Sequence, residues 1–532
     1  MDGPDATVPA PPASTGQKVT GAMSWILVPR AIQVAVSLVT SILIVRKLGR
    51  FDYGTLSVLR SLLCLAVVVL GLGLGQAINR FIPELRVTDR RHEGRGLLYR
   101  CLLLQSAFWV VACLVLFLLR GVLQTHYSTY GDLLLLGVFL SLAEVAAGTV
   151  TQYAIASYRT REMALAAGLG TLVLAGGTVL LLHLGTRVPG VLIASAAGFA
   201  ATTVALGLLL RRGSTDSGGA PGFAASAASG SSPGRAAGWD TVLGAMAVPW
   251  KRFLGYALPW VPNFLLLFVV WRQSETILLG IFRSREEAGF FDLAYKLPML
   301  VLEFVPSAVY PLVLAGFAET ATVARGRMTA VIETYYRLLF FIVTPLALLG
   351  VAMGDTLLTR MYGENMAQAG PYCQAFFLVF AAGFLGTPLS MTVYIFEKVW
   401  VNVLLNVAYG VVVLGLDLLL IPRYGLLGAT IPTSLVTVIT PFVRYAIARR
   451  YLEDIRIPWA FIGRTFLASS PLLGLAWAKR WATDLPRTAL LLLAAAIVTL
   501  LCYRWARVLR TEDREFLLRS RIPARKWILR II

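Results

Sequence analysis

The chain has 532 residues, of which 57% are hydrophobic and 14% charged, with a mean hydropathy of +0.73 and a formal net charge of +20. A soluble domain carries roughly 25% charged residues, so this composition excludes an ordinary soluble enzyme or binding module. The positive balance would suit nucleic acid, but the bases collect in alternate loops between apolar stretches, so the charge reports membrane topology and not a nucleic-acid face.

Residues 1–20 are rich in Pro, Ala and Ser with one base, Lys18, and read as a disordered leader. The first apolar segment, 22–44, is not followed by a small-residue cleavage site and reads as an anchor. A spanning helix needs about 20 mostly apolar residues. By that measure spans follow at 55–79, 97–119, 131–157, 163–184 and 189–210. A Gly/Ser-rich stretch at 211–248, SGGAPGFAASAASGSSPGRAAG at its centre, reads as a flexible linker. Beyond it come 253–281, 289–316, 335–355, 371–395, 399–421, 425–446, 458–478 and 487–505. The expected organisation is a first lobe at 21–210, the linker, a second lobe at 249–450, two further spans within 451–506, and a basic tail at 507–532. That tail alternates bases with Leu, Ile and Trp527, a pattern drawn to anionic membrane lipids. Basic clusters at 80–100 and in the tail place both termini in the cytoplasm of an inner-membrane protein.

The two lobes match at one offset. Ser41-Ile42-Leu43-Ile44, then Arg50, Asp52 and Gly54, align with Thr276-Ile277-Leu278-Leu279, then Arg285, Glu287 and Gly289, each pair 235 residues apart. The same offset carries Glu84 onto Glu319 and Gly190-Val191-Leu192 onto Gly425-Leu426-Leu427. Six spans is an even number, so both units enter from the same side and their pseudo-two-fold axis lies along the membrane normal. The expected fold is an all-α membrane protein of about fourteen transmembrane helices. Two pseudo-symmetric six-helix bundles (parallel repeats) surround a central cleft, with two C-terminal helices added. Such symmetry serves alternating access between rocking lobes.

The segment LVTSILIVRKLGRFDYGTLSVLRSLLCLAVVVLGLGLGQAINRFIPEL resembles the first two helices of polysaccharide-type flippases of the multidrug/oligosaccharidyl-lipid/polysaccharide exporter superfamily. WRQSETILLGIFRSREEAGFFDLAYKLP resembles the same pattern in that family's second half, with Glu275 where Asp is frequent, and IPRYGLLGATIPTSLV resembles the turn before the twelfth helix. The resemblance covers roughly 22–450. It implies translocation of an undecaprenyl-diphosphate-linked oligosaccharide to the external leaflet for surface polysaccharide biosynthesis. No cofactor is implied beyond a coupling proton or sodium ion. The partners implied are the lipid-linked glycan, membrane lipids, a polysaccharide polymerase and glycosyltransferases.

The bases inside spans that stand out as candidates are Arg30, Arg60, Arg272 and Lys296. A cation at the bilayer centre costs about 2.5–3.5 kcal/mol, so it faces a cavity or a partner. At the 235 offset Arg60 falls beside Lys296, so the cation recurs in the second helix of each unit. The functional reading is a cationic cleft for diphosphate or acidic sugar, with Arg supplying a bidentate fork and Lys a point charge. The bland reading is snorkelling, favoured for Arg30 after Pro29, or pairing inside the protein, as Arg272 with Glu275. Among the intramembrane acids, which include Asp292, Glu397 and Asp417, the candidates for ion coupling are Glu144, Glu303 and Glu275. Asp52 and Glu287 read as helix-capping turn residues.

The five cysteines lie in or beside apolar spans and read as packing residues, and nothing has metal-site spacing. No external loop carries Asp-x-Asp and the one clearly external histidine is His126, which argues against a membrane glycosyltransferase or acyltransferase. A drug antiporter of the same superfamily would favour a buried acid in the first helix, where Arg30 stands. A non-transporting scaffold of polysaccharide assembly is the remaining alternative.

Overall fold

The computed structural model describes residues 14–87, 93–121, 131–212, 249–271, 274–323, 328–390, 399–452, 455–481 and 484–506. Side chains at 14–30 and 307–328 lie outside that description. The described residues fold as helices and connecting turns with no strand.

In the first unit α1 (Ser14–Leu70) starts inside the stretch read as leader and carries two expected spans, bent at Gly49. There φ is +72°, a conformation that costs glycine nothing and an L side chain a good deal. Leu72 and Gly73, at φ of 51° and 67°, break the second span before α2 (Leu74–Val87). A Cβ on Gly73 would run into the Ala257 carbonyl, so close approach as well as backbone angle requires glycine. Then come α3 (Glu93–Leu118), α4 (Gly131–Ala156), α5 (Thr160–His183) and α6 (Arg187–Arg212), the last two packed as a tight hairpin.

In the second unit the described residues of the seventh span form α7 (Trp250–Ala257), α8 (Trp260–Trp271) and α9 (Ser274–Phe282), with a break after Ala257. Pro259, which has no N–H to offer a helical ladder, sits at that break. The unit continues with α10 (Arg285–Val323), α11 (Met328–Tyr362), a 3-10 turn at Glu364–Ala369, α12 (Gly370–Gly383), α13 (Val399–Tyr424) and α14 (Leu426–Ala448). The C-terminal helices α15 (Trp459–Ser469), α16 (Leu475–Ala478) and α17 (Leu485–Trp505) lie on the outside of α11, where Tyr503 packs 4.9 Å from Phe341.

Ten helices among the described residues are long and apolar enough to cross a membrane. The difference from the expected fourteen has local causes. α1 merges two spans, the seventh and thirteenth are interrupted, and α10 carries Asp292, Lys296 and Glu303. This is a multi-pass membrane protein.

The units meet chiefly where α1 crosses α10. Two glycines make the crossing close. A Cβ on Gly289 would stand 3.0 Å from the Cα of Gly54, and one on Gly54 would overlap the Arg285 carbonyl. Small residues at such a crossing let two backbones gain dispersion contacts that lipid cannot replace. Gly54 and Gly289 are the pair that the 235-residue offset aligns, and equivalent positions touch one another only beside the axis relating them. One apolar cluster spans the seam, from Leu56 and Leu59 to Phe291, Tyr295 and Phe376, with edge-to-face rings at 5.7 and 5.5 Å.

Candidate functional site

At the Gly49 end the seam is latched by charge. Arg50 lies 3.2 Å from Glu286, and Arg46 donates from Nε to the Met361 carbonyl at 2.7 Å and from Nη2 to that of Arg360. Asp52 and Glu287 do equivalent work in their units, each tying the second span to the start of the sixth. Asp52 accepts from Arg187 at the head of α6 at 3.3 Å, and Glu287 accepts the Leu426 N–H at the head of α14 at 3.0 Å. The expected capping holds for Glu287, but the helix it caps is α14. Its own helix is capped by Ser284, whose Oγ accepts the Glu287 N–H at 3.1 Å.

Deeper along the seam, Asp292 is buried to 1% exposure and gathers groups from both units. Tyr53 donates to its Oδ2 at 2.6 Å, Ser57 at 3.1 Å and Lys296 Nζ at 2.8 Å. The same ammonium stands 2.7 Å from Oδ1, an ion-pair distance at which the angle is too poor for a hydrogen bond. Ser57 and Asp292 are again separated by 235 residues. Lys296 is therefore the counter-ion of a carboxylate, and no hydrogen bond or ion pair joins it to Arg60 among the described residues.

Arg60, one turn beyond Ser57, is half-buried and lines a cavity of about 230 Å³. The cavity lies inside the first unit, walled by Leu63 and Cys64 of α1, Ser141 and Glu144 of α4, Leu174 of α5, and Ser195 and Phe199 of α6. Glu144 thus shares its chamber with Arg60, an approach that a separation of 84 positions in the sequence conceals. Arg60 forms no ion pair with any described residue. The sequence led to the expectation of a cleft shared by both units; this cavity belongs to one.

The second unit holds the opposite charge. Glu275, 2% exposed near the start of α9, accepts a hydrogen bond from Thr433 of α14 at 2.6 Å. Asp417 of α13 is fully buried, close enough for its charge to interact with that of Glu275, and neither of its oxygens has a hydrogen-bond partner among the described residues. The hydroxyls of Thr276 and Tyr409 are likewise buried without partners among the described residues. Asn406, Tyr409, Val413 and Asp417 recur at helical spacing on one buried face of α13. Glu275 and Asp417 thus bring two carboxylates near one another in the buried part of the second unit. Asp417 is the residue that the sequence reading counted among intramembrane acids without singling it out.

The other candidates fall elsewhere. Glu303 is exposed on α10. Arg30 lies on α1, with its side chain outside the described residues, and Arg272 lies outside them altogether, as do Glu397 and the 507–532 tail.

Broken spans and a close seam between two units define a two-lobed helical membrane fold, and the solved structures it resembles share that fold. An inward-facing multidrug resistance MATE family transporter of the MOP superfamily aligns with a TM-score of 0.59 at 15% identity, covering 80% of this chain and 95% of its own. The lipid II flippase MurJ in an inward closed conformation aligns at 0.57 and 11%, covering 92% and 99%. A MOP superfamily transporter from Pyrococcus furiosus Vc1, noted for the reversed polarity of its binding pocket, aligns at 0.54 and 14%, covering 82% and 96%. At such identities the likeness establishes the fold. The sequence itself matches the polysaccharide biosynthesis protein family over residues 21–314, more than half its length, and the chain belongs to that family. No individually curated protein matches it.

Proposed function

We propose that this protein is a flippase that carries an undecaprenyl-diphosphate-linked oligosaccharide from the cytoplasmic to the external leaflet of the inner membrane, by alternating access of its two lobes. The observation that carries this reading is Arg60. It is a half-buried guanidinium on a membrane cavity with no ion pair among the described residues. A cation so placed costs about 2.5–3.5 kcal/mol unless something anionic meets it, and a diphosphate meets it with paired oxygens. Membership of a polysaccharide biosynthesis family and a fold shared with a lipid II flippase support the same cargo class. The lipid tail stays in the bilayer while the sugars pass through the polar path.

Glu275 and Asp417 are the coupling site in this reading. A proton or sodium ion bound between them changes the charge of the second lobe beside the seam, and only a ligand that favours one conformation over the other can drive the exchange. A polymerase and glycosyltransferases supply and consume the glycan on either side of this step.

The test is deletion of the gene in its host, with quantification of undecaprenyl-diphosphate-linked glycan and of surface polysaccharide. Complementation uses the wild type and Arg60→Ala. Accumulation relieved by the wild type and not by the variant is the expected result. Relief by both removes Arg60 from the path. Surface polysaccharide left intact by the deletion, with no accumulation, overturns the flippase reading.

A further inference from the structure

Helices α3 and α6 both pack on α4, yet among the described residues they scarcely touch each other. Between them lies a groove of about 830 Å³, floored by Val150 and Tyr153 of α4 and Ser157 just after it, and lined also by Ile82 and Leu85 of α2. The volume suits a ligand of several hundred daltons. The groove is distinct from the Arg60 cavity and shares no lining residue with it.

Its two ends differ in chemistry. Arg95 in the first turn of α3, Arg159 just after α4 and Arg211 near the end of α6 stand at the same end, on three different elements. Arg159 is already engaged, donating to the Leu210 carbonyl at 3.0 Å and lying 4.0 Å from Glu162. Arg95 and Arg211 form no ion pair with any described residue. Towards the middle of the membrane the walls become apolar, with Leu98 and Leu102 facing Val204 and Leu208. Val204 and Leu208 are 61% and 53% exposed, so the groove opens sideways where a membrane protein meets lipid. Gly207 lies in the same wall, and a Cβ there would meet nothing within 4 Å, so the space beside it is real.

We propose that this groove binds one anionic glycerophospholipid. Its phosphate sits among Arg95, Arg159 and Arg211, and an acyl chain lies between Leu98 and Leu102 on one side and Val204 and Leu208 on the other. The amphipathic order of the groove, cations at the membrane surface and apolar walls inward, is that of a phospholipid. Basic pockets between membrane helices select anionic head groups by this arrangement. The assignment does not depend on what the transporter carries.

Native mass spectrometry and thermal unfolding of the purified full chain test it, with phosphatidylglycerol titrated against phosphatidylcholine. Phosphatidylglycerol is expected to bind and to raise the unfolding temperature, with phosphatidylcholine weaker by about tenfold or more, because its phosphate brings a fixed choline cation among Arg95, Arg159 and Arg211 and the head group has no net negative charge. Arg95→Gln with Arg211→Gln should erase that preference. Gly207→Leu, which fills the groove and leaves every arginine in place, should displace the lipid as well. Arg449→Gln with Arg450→Gln, exposed bases outside the groove, should leave binding intact. The proposal is overturned if the control pair weakens binding as much as the groove pair, or if Gly207→Leu binds phosphatidylglycerol like the wild type. Full displacement by soluble glycerol phosphate would equally overturn it, since that would assign the site to a free anion.

Discussion

The first lobe places a cation on its cavity, and the second buries its acids. Arg60 lines the one, while Glu275 and Asp417 occupy the other, although both lobes are built on the same six-span plan. The seam between them is where the two chemistries come closest, because there Asp292 of the second unit takes up Lys296 together with Tyr53 and Ser57 of the first. The contrast teaches that a repeated scaffold need not repeat its charge. Lys296 fell beside Arg60 in the alignment of the two halves, yet the structure makes one a counter-ion within the protein and leaves the other facing a cavity.

If the acidic pair drives the cycle, Asp417→Asn should have the largest effect. It removes one charge with little change of volume, and transport and its cation dependence should fall about a hundredfold while the protein stays folded. Reconstituted transport measured with and without an imposed proton or sodium gradient checks this, and an undiminished gradient response would end the coupling assignment. Arg60→Ala should weaken cargo binding by about ten- to a hundredfold, with Arg60→Lys recovering part of it, because an ammonium restores charge but not the paired donors. Binding of a lipid diphosphate measured on both variants separates the two cases, and equal loss would point to packing. Lys296→Met should lower unfolding stability by only about 1–2 kcal/mol. The buried Asp292 keeps its two hydroxyl donors, and the ammonium itself is 46% exposed. Denaturation of that variant in detergent measures the difference, and a fall in transport without a fall in stability would make Lys296 a cargo contact after all. Arg120→Gln should be nearly silent, under about 0.5 kcal/mol, since its ion pair with Asp132 is exposed on both sides.

Much of the fold was readable because hydrophobic length is a direct physical requirement of the bilayer. The spans drawn at 131–157 and 487–505 end within two residues of α4 and α17. Interruptions were harder. Nothing in the apolar run 253–281 except Pro259 and Pro262 announces its break after Ala257, and nothing near Gly73 in the sequence announces that Ala257 lies against it. In the site, Asp292 and Lys296 stand four apart, a helical spacing that would have predicted their pairing had the alignment with Arg60 not drawn attention away. Asp417 pairs with a residue 142 positions earlier, which no local motif records. Its one signal was a lone acid in a span of mean hydropathy 2.3. Arg60 is legible in the sequence as a cation within an apolar span, but which neighbours close its chamber depends on α4 to α6 folding back over α1, and periodicity does not reveal that.

The contact between Ser57 and Asp292 has a consequence for the ancestry of the fold. Two identical half-length chains meeting at this axis would be bound to set serine against serine or aspartate against aspartate. The first leaves a buried hydroxyl pair with no anion to hold Tyr53. The second drives two like charges together in a dry interface. A serine facing an aspartate is open only to halves that are free to accept unequal mutations. The hydrogen bond at 3.1 Å is thus a mark of divergence between the halves written in chemistry, one that no dimer of identical half-chains could have carried.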